Sequence, residues 1–269
     1  MKTKKTPLIF VAMLVSATAI ARGEIASNNP EAKKVLVQGK KALDGGKFDE
    51  AITNYEKALI IQPDAEAHNS LGLALAGHGQ ITEAIAHYRM ALELKPDFAE
   101  AHNNLAVALA GRGQIDEAIA HYRKALEMKP DFAEAHNNLG LALASRGRLD
   151  EAIAKYTAAI RLKADYAEAY NNRGLALNRK GESTKAIADL SEAIRLQPNR
   201  ASNYNNRGTC YSQAGDYDKA IVDFTAAISL SPKSAPAYHS RGQAYEKKGE
   251  KAKANEDFAQ AKKLGYKEK

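Results

Sequence analysis

The chain has 269 residues, of which 45% are apolar and 26% charged, and this composition is typical of a globular protein rather than a disordered or collagen-like one. Its single cysteine excludes an intramolecular disulfide framework and a cysteine-rich zinc site. The 39 Lys and Arg against 32 Asp and Glu give a formal net charge of +7; three lysines near the start carry part of it, and the remaining excess is too weak to predict nucleic-acid binding.

The first residues differ in character from the rest of the chain. Three lysines precede an apolar run from Leu8 to Val15, and small residues with Ala-x-Ala spacing follow it and end at Ala21. A membrane-spanning helix needs about 20 apolar residues, and this stretch is shorter. The sequence therefore predicts a secretory signal peptide over residues 1–21, cleaved after Ala21, with residues 22–31 as a linker. The protein is then expected in the bacterial periplasm or outside the cell, with no membrane span after cleavage; an uncleaved membrane anchor is the alternative.

One sequence unit recurs seven times after this linker. Seven glycines are spaced 33 residues apart once and 34 residues apart thereafter, at Gly46, Gly79, Gly113, Gly147, Gly181, Gly215 and Gly249. A fixed interval of this length indicates stacked structural repeats. The units are predicted at residues 32–64, 65–98, 99–132, 133–166, 167–200, 201–234 and 235–268, and they are numbered repeats 1 to 7 below.

Each repeat is predicted to form two α-helices, because apolar residues recur at three- and four-residue steps in both of its halves. In repeat 4, Gly147 is predicted to end the first helix in the left-handed conformation. Asp150 is predicted to cap the second helix by accepting hydrogen bonds from its first amides. Tyr156 is predicted to fill the space that small residues such as Gly140 leave between the paired helices.

This pattern resembles the tetratricopeptide repeat. The matching residues in repeat 4 are Leu139, Gly140, Leu143, Gly147, Ala152, Tyr156 and Ala159, with Pro130 closing the repeat before it. The resemblance implies an all-α fold: a solenoid of seven helix-turn-helix repeats in a right-handed superhelix, whose concave face binds peptides. The repeats are also similar to those that precede the catalytic domain of O-linked N-acetylglucosamine transferases, and that catalytic domain has no counterpart in this sequence.

The repeats fall into two types that differ at two coupled positions. Repeats 2–4 carry Leu71, Leu105 and Leu139 where repeats 5–7 carry Arg173, Arg207 and Arg241. Sixteen residues later, repeats 2–4 carry His87, His121 and Lys155 where repeats 5–7 carry Asp189, Asp223 and Asp257. The coupled change predicts a buried or half-buried Arg–Asp pair between the two helices. A basic stripe that binds acidic peptides is the alternative.

Neither a metal site nor a catalytic constellation is predicted. The first-helix histidines of repeats 2–4 lie one repeat apart, and helices stacked about 8–10 Å apart cannot bring such equivalents within about 2.1 Å of one ion. They are interpreted as packing residues (His68, His102 and His136), and two second-helix histidines as surface residues (His87 and His121). Cys210 occupies a position that holds alanine in other repeats, so a small buried residue is expected. We expect no cofactor and no enzymatic activity.

The candidate binding surface is the inner face of the first helices. An Asn side chain offers donors and an acceptor, which match both halves of a peptide group. Equivalents about 10 Å apart would hold every third residue of an extended chain at about 3.3 Å per residue. The predicted groove residues are Asn103, Asn104, Asn137, Asn138, Asn171, Asn172, Asn205 and Asn206, together with Glu100, Glu134 and Glu168. The alternative is that these Asn residues cap local backbone or are simply tolerated on this face.

The leading functional hypothesis is an exported, non-enzymatic scaffold that binds a protein or peptide partner in this groove. A second hypothesis is a structural adaptor in a cell-envelope assembly that uses its convex face or its ends. A third, an accessory of a carbohydrate-processing system, rests on family analogy. No nucleic-acid partner is expected, and the sequence predicts neither the identity of the partner nor the oligomeric state.

Overall fold

A computed structural model describes residues 29–267, and within this range the chain forms α-helices joined by short turns, with no β-strand. The helices are α1 (Pro30–Asp44), α2 (Phe48–Ile61), α3 (Ala65–Gly77), α4 (Ile81–Leu94), α5 (Ala99–Gly111), α6 (Ile115–Met128), α7 (Ala133–Ser145), α8 (Leu149–Leu162), α9 (Ala167–Arg179), α10 (Ser183–Leu196), α11 (Ala201–Gln213), α12 (Tyr217–Leu230), α13 (Ala235–Lys247) and α14 (Lys251–Lys263). Odd-numbered helices open the repeats and even-numbered helices close them. The predicted all-α fold of paired helices is confirmed.

The N-terminal boundary of the helical array lies close to the predicted one. The predicted signal peptide and most of the predicted linker fall outside the described residues. Helix α1 begins at Pro30, two residues before the predicted start of repeat 1. The Asn29 side chain caps it by accepting from the backbone N–H groups of Glu31 and Ala32.

The described helices group into two compact units, α1–α6 up to Pro130 and α7–α14 from Asp131 onwards. Within each unit the two helices of a repeat pack against each other, and the second helix packs against the first helix of the next repeat. First helices of successive repeats within a unit also contact one another directly. The first helices therefore line one face of each unit, which we call the first-helix face.

The turn inside repeat 4 shows why a glycine stands between the two helices of a repeat. Gly147 has a φ of 76°, a conformation that other residues adopt only with strain. This geometry lets the N–H of Arg148 donate to the carbonyl of Leu143 over 3.0 Å, which satisfies a carbonyl at the end of α7. The predicted end of the first helix is confirmed.

The predicted cap of the second helix is wrong. Helix α8 begins at Leu149, its cap position is Arg148, and no side chain caps it. Asp150 lies inside the first turn, where a carboxylate still interacts favourably with the helix dipole. Its side chain accepts a hydrogen bond from Lys180 of the next repeat.

Close approach between the paired helices depends on small residues, as predicted. A Cβ atom on Gly140 would lie 2.5 Å from Cε1 of Tyr156, and Tyr156 is 1% exposed. Ala152 and Ala159 beside it are completely buried. The tyrosine ring thus occupies the space that the missing glycine side chain leaves, at the density of a protein interior.

Candidate first-helix binding face

Asparagine side chains on the first-helix face form a hydrogen-bonded chain in the C-terminal unit. Nδ2 of Asn206 donates to Oδ1 of Asn171 over 2.8 Å, and Nδ2 of Asn172 donates to Oδ1 of Asn137 over 3.0 Å. A longer contact of 3.4 Å from Asn171 to Asn172 joins the two bonds. Four of the predicted groove residues are therefore brought together across three repeats.

The same arrangement occurs in the N-terminal unit. Nδ2 of Asn104 donates to Oδ1 of Asn69 over 3.0 Å, and Nδ2 of Asn103 lies 3.4 Å from Oδ1 of Asn104. Asn69 is the repeat 2 equivalent of Asn103, and sequence reasoning did not include it. In these three bonds the second asparagine of a repeat reaches back to the first asparagine of the repeat before.

The remaining predicted asparagines occupy the same two rows. Asn138 is half-buried in the second row. Asn205 is half-buried in the first row, and its buried Oδ1 accepts no hydrogen bond from the described part of the chain. Repeat 7 has Ser240 at the position of the donating asparagine. The serine side chain is shorter, which explains why Asn205 receives no bond of this kind.

The hydrogen bonds of Asn172 leave part of its amide for another partner. An Asn side chain has two N–H donors and two acceptor lone pairs. The bonds described above use one donor and one lone pair of Asn172, which is half-buried. The network therefore orients the Asn172 amide and leaves it capacity to bind a peptide group.

A row of aliphatic side chains lies beside the asparagines. Leu73 and Val107 in the N-terminal unit are 39% and 49% exposed, and Leu141 and Leu175 in the C-terminal unit are 42% and 36% exposed. Each follows a second-row position by three residues, so the two side chains are neighbours on the helix surface. Within each unit an exposed apolar side chain therefore recurs at the same position of successive first helices.

The predicted glutamates border the same face. Glu134 is exposed and Glu168 is half-buried. Glu100 accepts a hydrogen bond from Nζ of Lys129 over 2.8 Å, and this bond holds the pKa of the Glu100 carboxyl below its usual range. The Glu100 carboxyl is therefore ionised at neutral pH and paired with Lys129.

The predicted Arg–Asp pairs are confirmed, and they are bidentate. In repeat 6, Nε and Nη2 of Arg207 donate to the two carboxylate oxygens of Asp223, both over 2.8 Å. The Asp223 side chain is 4% exposed and that of Arg207 20%. Equivalent pairs join Arg173 to Asp189 and Arg241 to Asp257.

Each of these arginines also contacts the repeat before it. Nη1 of Arg207 donates to the hydroxyl of Ser191 over 2.9 Å. Arg173 and Arg241 make the same bond, over 3.0 Å, to Thr157 and Thr225. One guanidinium therefore links both helices of its own repeat with the second helix of the preceding repeat.

Two histidine pairs occupy the corresponding region of repeats 2 and 3. The Nδ1 atoms of His68 and His87 lie 3.0 Å apart, and those of His102 and His121 lie 2.8 Å apart. The pKa of His68 and that of His121 are lowered to about 4. Burial is the largest cause, and the neighbouring histidine is the second. The interpretation of His87 and His121 as surface residues is wrong, since both are half-buried and paired.

One second-helix position serves both kinds of pair. The His87 position and the Asp223 position are equivalent, but their partners lie 19 and 16 residues earlier, one helical turn apart on the first helix. The Arg–Asp pairs are visible in the sequence as coupled changes at two positions 16 residues apart. The histidine pairs are visible as two histidines 19 residues apart within one repeat.

Two further observations concern the described residues. None of the helices between residues 29 and 267 is both long and apolar enough to cross a membrane. In the same range, no group of three or more His, Cys, Asp and Glu side chains is arranged to hold a metal ion. Cys210 is completely buried, as predicted.

Sequence profiles of the tetratricopeptide repeat match this chain along the whole helical array. The matched segments are residues 36–97, 77–131 and 103–167 for one profile, 167–200 and 201–234 for a second, and 235–264 for a third. Comparison with curated protein sequences gave no match.

Several solved structures are similar to this chain. The crystal structure of MamA is 32% identical in sequence, covers 60% of this chain and 94% of its own, and superposes with a TM-score of 0.56. PilF of Pseudomonas aeruginosa is 24% identical over 75% of this chain and 91% of its own, with a TM-score of 0.67. YrrB, described as a tetratricopeptide repeat protein with an unusual peptide-binding site, is 23% identical over 70% of this chain and 97% of its own, with a TM-score of 0.59. At these identities PilF and YrrB show a shared fold alone.

Proposed function

Because this chain belongs to the tetratricopeptide repeat family, we propose that it is an exported, non-enzymatic scaffold that binds an extended segment of a partner protein along its first-helix face. The observation that carries this proposal is the aliphatic row beside the oriented asparagine row. An extended segment presents polar backbone groups and apolar side chains in alternation. The two rows offer a complementary surface for each.

The chemistry of the face favours a protein segment over other partners. The second-row amides can donate to and accept from a peptide backbone without selecting its side chains. The exposed leucines supply apolar surface, which drives association when it is removed from water. The glutamate border disfavours an acidic segment, because like charges repel. The peptide-binding site described for YrrB makes a peptide the first ligand to test.

A photo-crosslinking experiment in cells tests which face binds. A crosslinking amino acid replaces Leu141 on the first-helix face, and in a matched control it replaces Val222 on a second helix, where the side chain is 67% exposed. We expect a protein adduct from position 141 and a weaker one, or none, from position 222. Adducts from position 222 alone would refute binding on the first-helix face.

A pair of substitutions measures the contribution of the aliphatic row. Full burial of a leucine side chain is worth about 1.5–3 kcal/mol, and a partner can still cover the 42% of Leu141 and the 36% of Leu175 that are exposed in the free protein. Leu141→Ser with Leu175→Ser should therefore weaken binding of the crosslinked partner by about tenfold or more. Val222→Ser should leave it unchanged. Equal affinities for the two variants would contradict the proposal.

The second candidate is a structural adaptor that uses the opposite side. Val222 and Ile60 lie on second helices and are 67% and 78% exposed, which provides apolar surface away from the first-helix face. An adaptor of this kind should bind folded proteins and ignore peptides. Peptide-array binding therefore separates the two candidates.

Export is tested at the N-terminus. Cleavage after Ala21 gives a mature chain that starts at Arg22, and use of the preceding small-residue site gives one that starts at Ile20. N-terminal sequencing of the protein from its native source identifies the start. An intact Met1 in the cytoplasmic fraction would exclude the exported location and leave peptide binding untouched.

A further inference from the structure

We propose that the outer side of α14, the second helix of repeat 7, is a docking surface for an anionic phospholipid membrane. This surface, called the α14 outer face below, consists of one stripe of the helix and the lysine beside its end: Lys251, Asn255, Ala259, Lys262 and Lys263. The proposal rests on the arrangement and charge of these side chains. It does not depend on peptide binding at the first-helix face.

Repeat 6 shows which way the stripe points. The equivalent positions of α12 hold Tyr217, Ile221, Thr225 and Ile228. Tyr217 and Ile221 pack against the buried cluster that includes Ala244 of repeat 7, and Ile228 is buried with Ala237 of repeat 7. The hydroxyl of Thr225 accepts a hydrogen bond from Arg241 of repeat 7. The same positions of α14 therefore face away from repeat 6, on the side where a further repeat would pack.

The α14 outer face is exposed, and its charge has one sign. All five of its residues are exposed. In the described part of the chain, the ion pairs of repeat 7 use other residues: Arg241–Asp257, Lys248–Asp218, Lys248–Glu250 and Lys253–Glu250. Glu256 lies off the stripe, at the position that the exposed Val222 occupies in repeat 6. The positive charges of Lys251, Lys262 and Lys263 are therefore free to meet an external anion.

The needs of a terminal repeat explain only part of this composition. An uncovered helix must be polar, and charges of either sign would meet that need. The helix dipole favours Lys262 and Lys263 in the last turn, but it disfavours a cation such as Lys251, with which the first turn begins. Helices α6 and α8 carry acidic residues there, such as Asp116 and Asp150. Lys251 is thus unfavourable within its own helix, and an anion outside the protein would offset this effect.

The shape of the α14 outer face suits a layer of headgroups rather than one small anion. Lys251 and Lys262 are 11 residues apart, which is about 16 Å along a helix at about 1.5 Å per residue. The side chains between them are the small Asn255 and Ala259, so the helix can lie flat on a surface. Lysine is a point charge on a flexible stem, so each ammonium group can meet a separate phosphate without a fixed geometry.

Docking through this surface leaves the first-helix face of repeats 4 and 5 uncovered. Helix α14 packs against α13 of its own repeat. The exposed leucines of the first-helix face, Leu141 and Leu175, belong to α7 and α9. A membrane-bound chain could therefore still bind a partner along that face.

Flotation with lipid vesicles tests the proposal. A chain of residues 22–269, which keeps every described helix and lacks the apolar N-terminal run, is mixed with vesicles that contain one third phosphatidylglycerol or phosphatidylcholine alone. We expect binding to the anionic vesicles only, and we expect it to weaken as salt is added, because salt screens exposed charges. Each lysine near an anionic surface changes the partition coefficient by about fivefold. Lys251→Gln, Lys262→Gln and Lys263→Gln together should therefore weaken binding on the order of a hundredfold.

A matched control separates this surface from net charge. Lys40→Gln, Lys57→Gln and Lys124→Gln remove three other exposed lysines and the same total charge. This variant should bind within about threefold of the parent. Two results would overturn the proposal. The first is a parent that does not bind the anionic vesicles, and the second is an α14 variant, shown to be folded by its helical circular dichroism, that binds as well as the control.

A fluorescent label reports the orientation of the bound chain. Cys210→Ala removes the natural cysteine and introduces the residue that other repeats have at this position. A label attached through Ala259→Cys should be quenched by a lipid that carries a nitroxide on its headgroup. A label attached through Leu141→Cys, in repeat 4, should keep its fluorescence. Quenching at position 141 alone would show that another surface faces the membrane and would overturn the assignment to α14.

Discussion

Removing one member of the Arg207–Asp223 pair should cost far more stability than removing both. The Asp223 side chain is 4% exposed, and Arg207→Leu removes its bidentate partner. Breaking a buried ion pair in this way lowers the free energy of unfolding by about 3–5 kcal/mol. Asp223→Leu should cost less, because Arg207 keeps its bond to Ser191 and a fifth of its surface in water. The double Leu variant should recover much of the loss, since apolar replacement of a buried pair is often nearly neutral. Leu105 occupies the Arg position in repeat 3 and is 1% exposed, so leucine fits there.

The measurement must be local, because repeat arrays need not unfold in one step. Native-state hydrogen exchange of the amides in α11 and α12 reports the opening free energy of repeat 6 in each variant. The cycle should give a coupling energy of at least about 2 kcal/mol between the two residues. The exposed pair Arg89–Glu117, with a nitrogen–oxygen distance of 3.1 Å, is the control and should give about 0–1 kcal/mol. If the losses of opening free energy from Arg207→Leu and Asp223→Leu are additive, the ion pair between the two residues contributes no coupling energy.

Two further predictions concern packing. Gly140→Ala should destabilise the protein by about 1–3 kcal/mol, because the added carbon meets the buried Tyr156 ring; Gly111→Ala, where no atom lies within 4 Å, should leave stability unchanged or raise it by up to about 1 kcal/mol. Thermal melts compare the two variants, and equal melting temperatures would contradict the packing argument. The Cys210 thiol should resist a disulfide reagent at pH 8 in the folded protein and react fully in denaturant, because burial raises its pKa to about 11. Thiol absorbance assays count this single cysteine, and rapid labelling of the native protein would show that it is accessible.

The fold could be predicted because its signals are periodic. Glycine at each turn and alanine at each helix contact recur at one interval, and each has a local physical reason. The Arg–Asp pairs could be predicted because two positions change together. Asp150 was misplaced because the residues around it, Arg148 and Leu149, give no local signal that fixes the first turn of α8 to a single residue.

The binding face could be predicted only in part. The asparagine positions were visible, but the bond from Asn104 back to Asn69 joins residues 35 apart on different helices and depends on how successive repeats stack. The histidine pairs were missed because comparison was made between repeats, where equivalents cannot converge. The partner of His87 lies inside its own repeat, one helical turn from the place where the arginine stands in later repeats.

The bonds from Arg173, Arg207 and Arg241 to the preceding repeat have a consequence for how the C-terminal unit opens. In a one-dimensional array, stability is the sum of the intrinsic free energy of each repeat and the free energy of each interface. A bond across an interface is lost when either neighbour unfolds, so it couples the opening of both repeats. We therefore expect the most protected amides of α8–α14 to exchange in blocks that are correlated between neighbouring repeats, and removal of the bond from Arg207 to Ser191 to weaken that correlation between repeats 5 and 6.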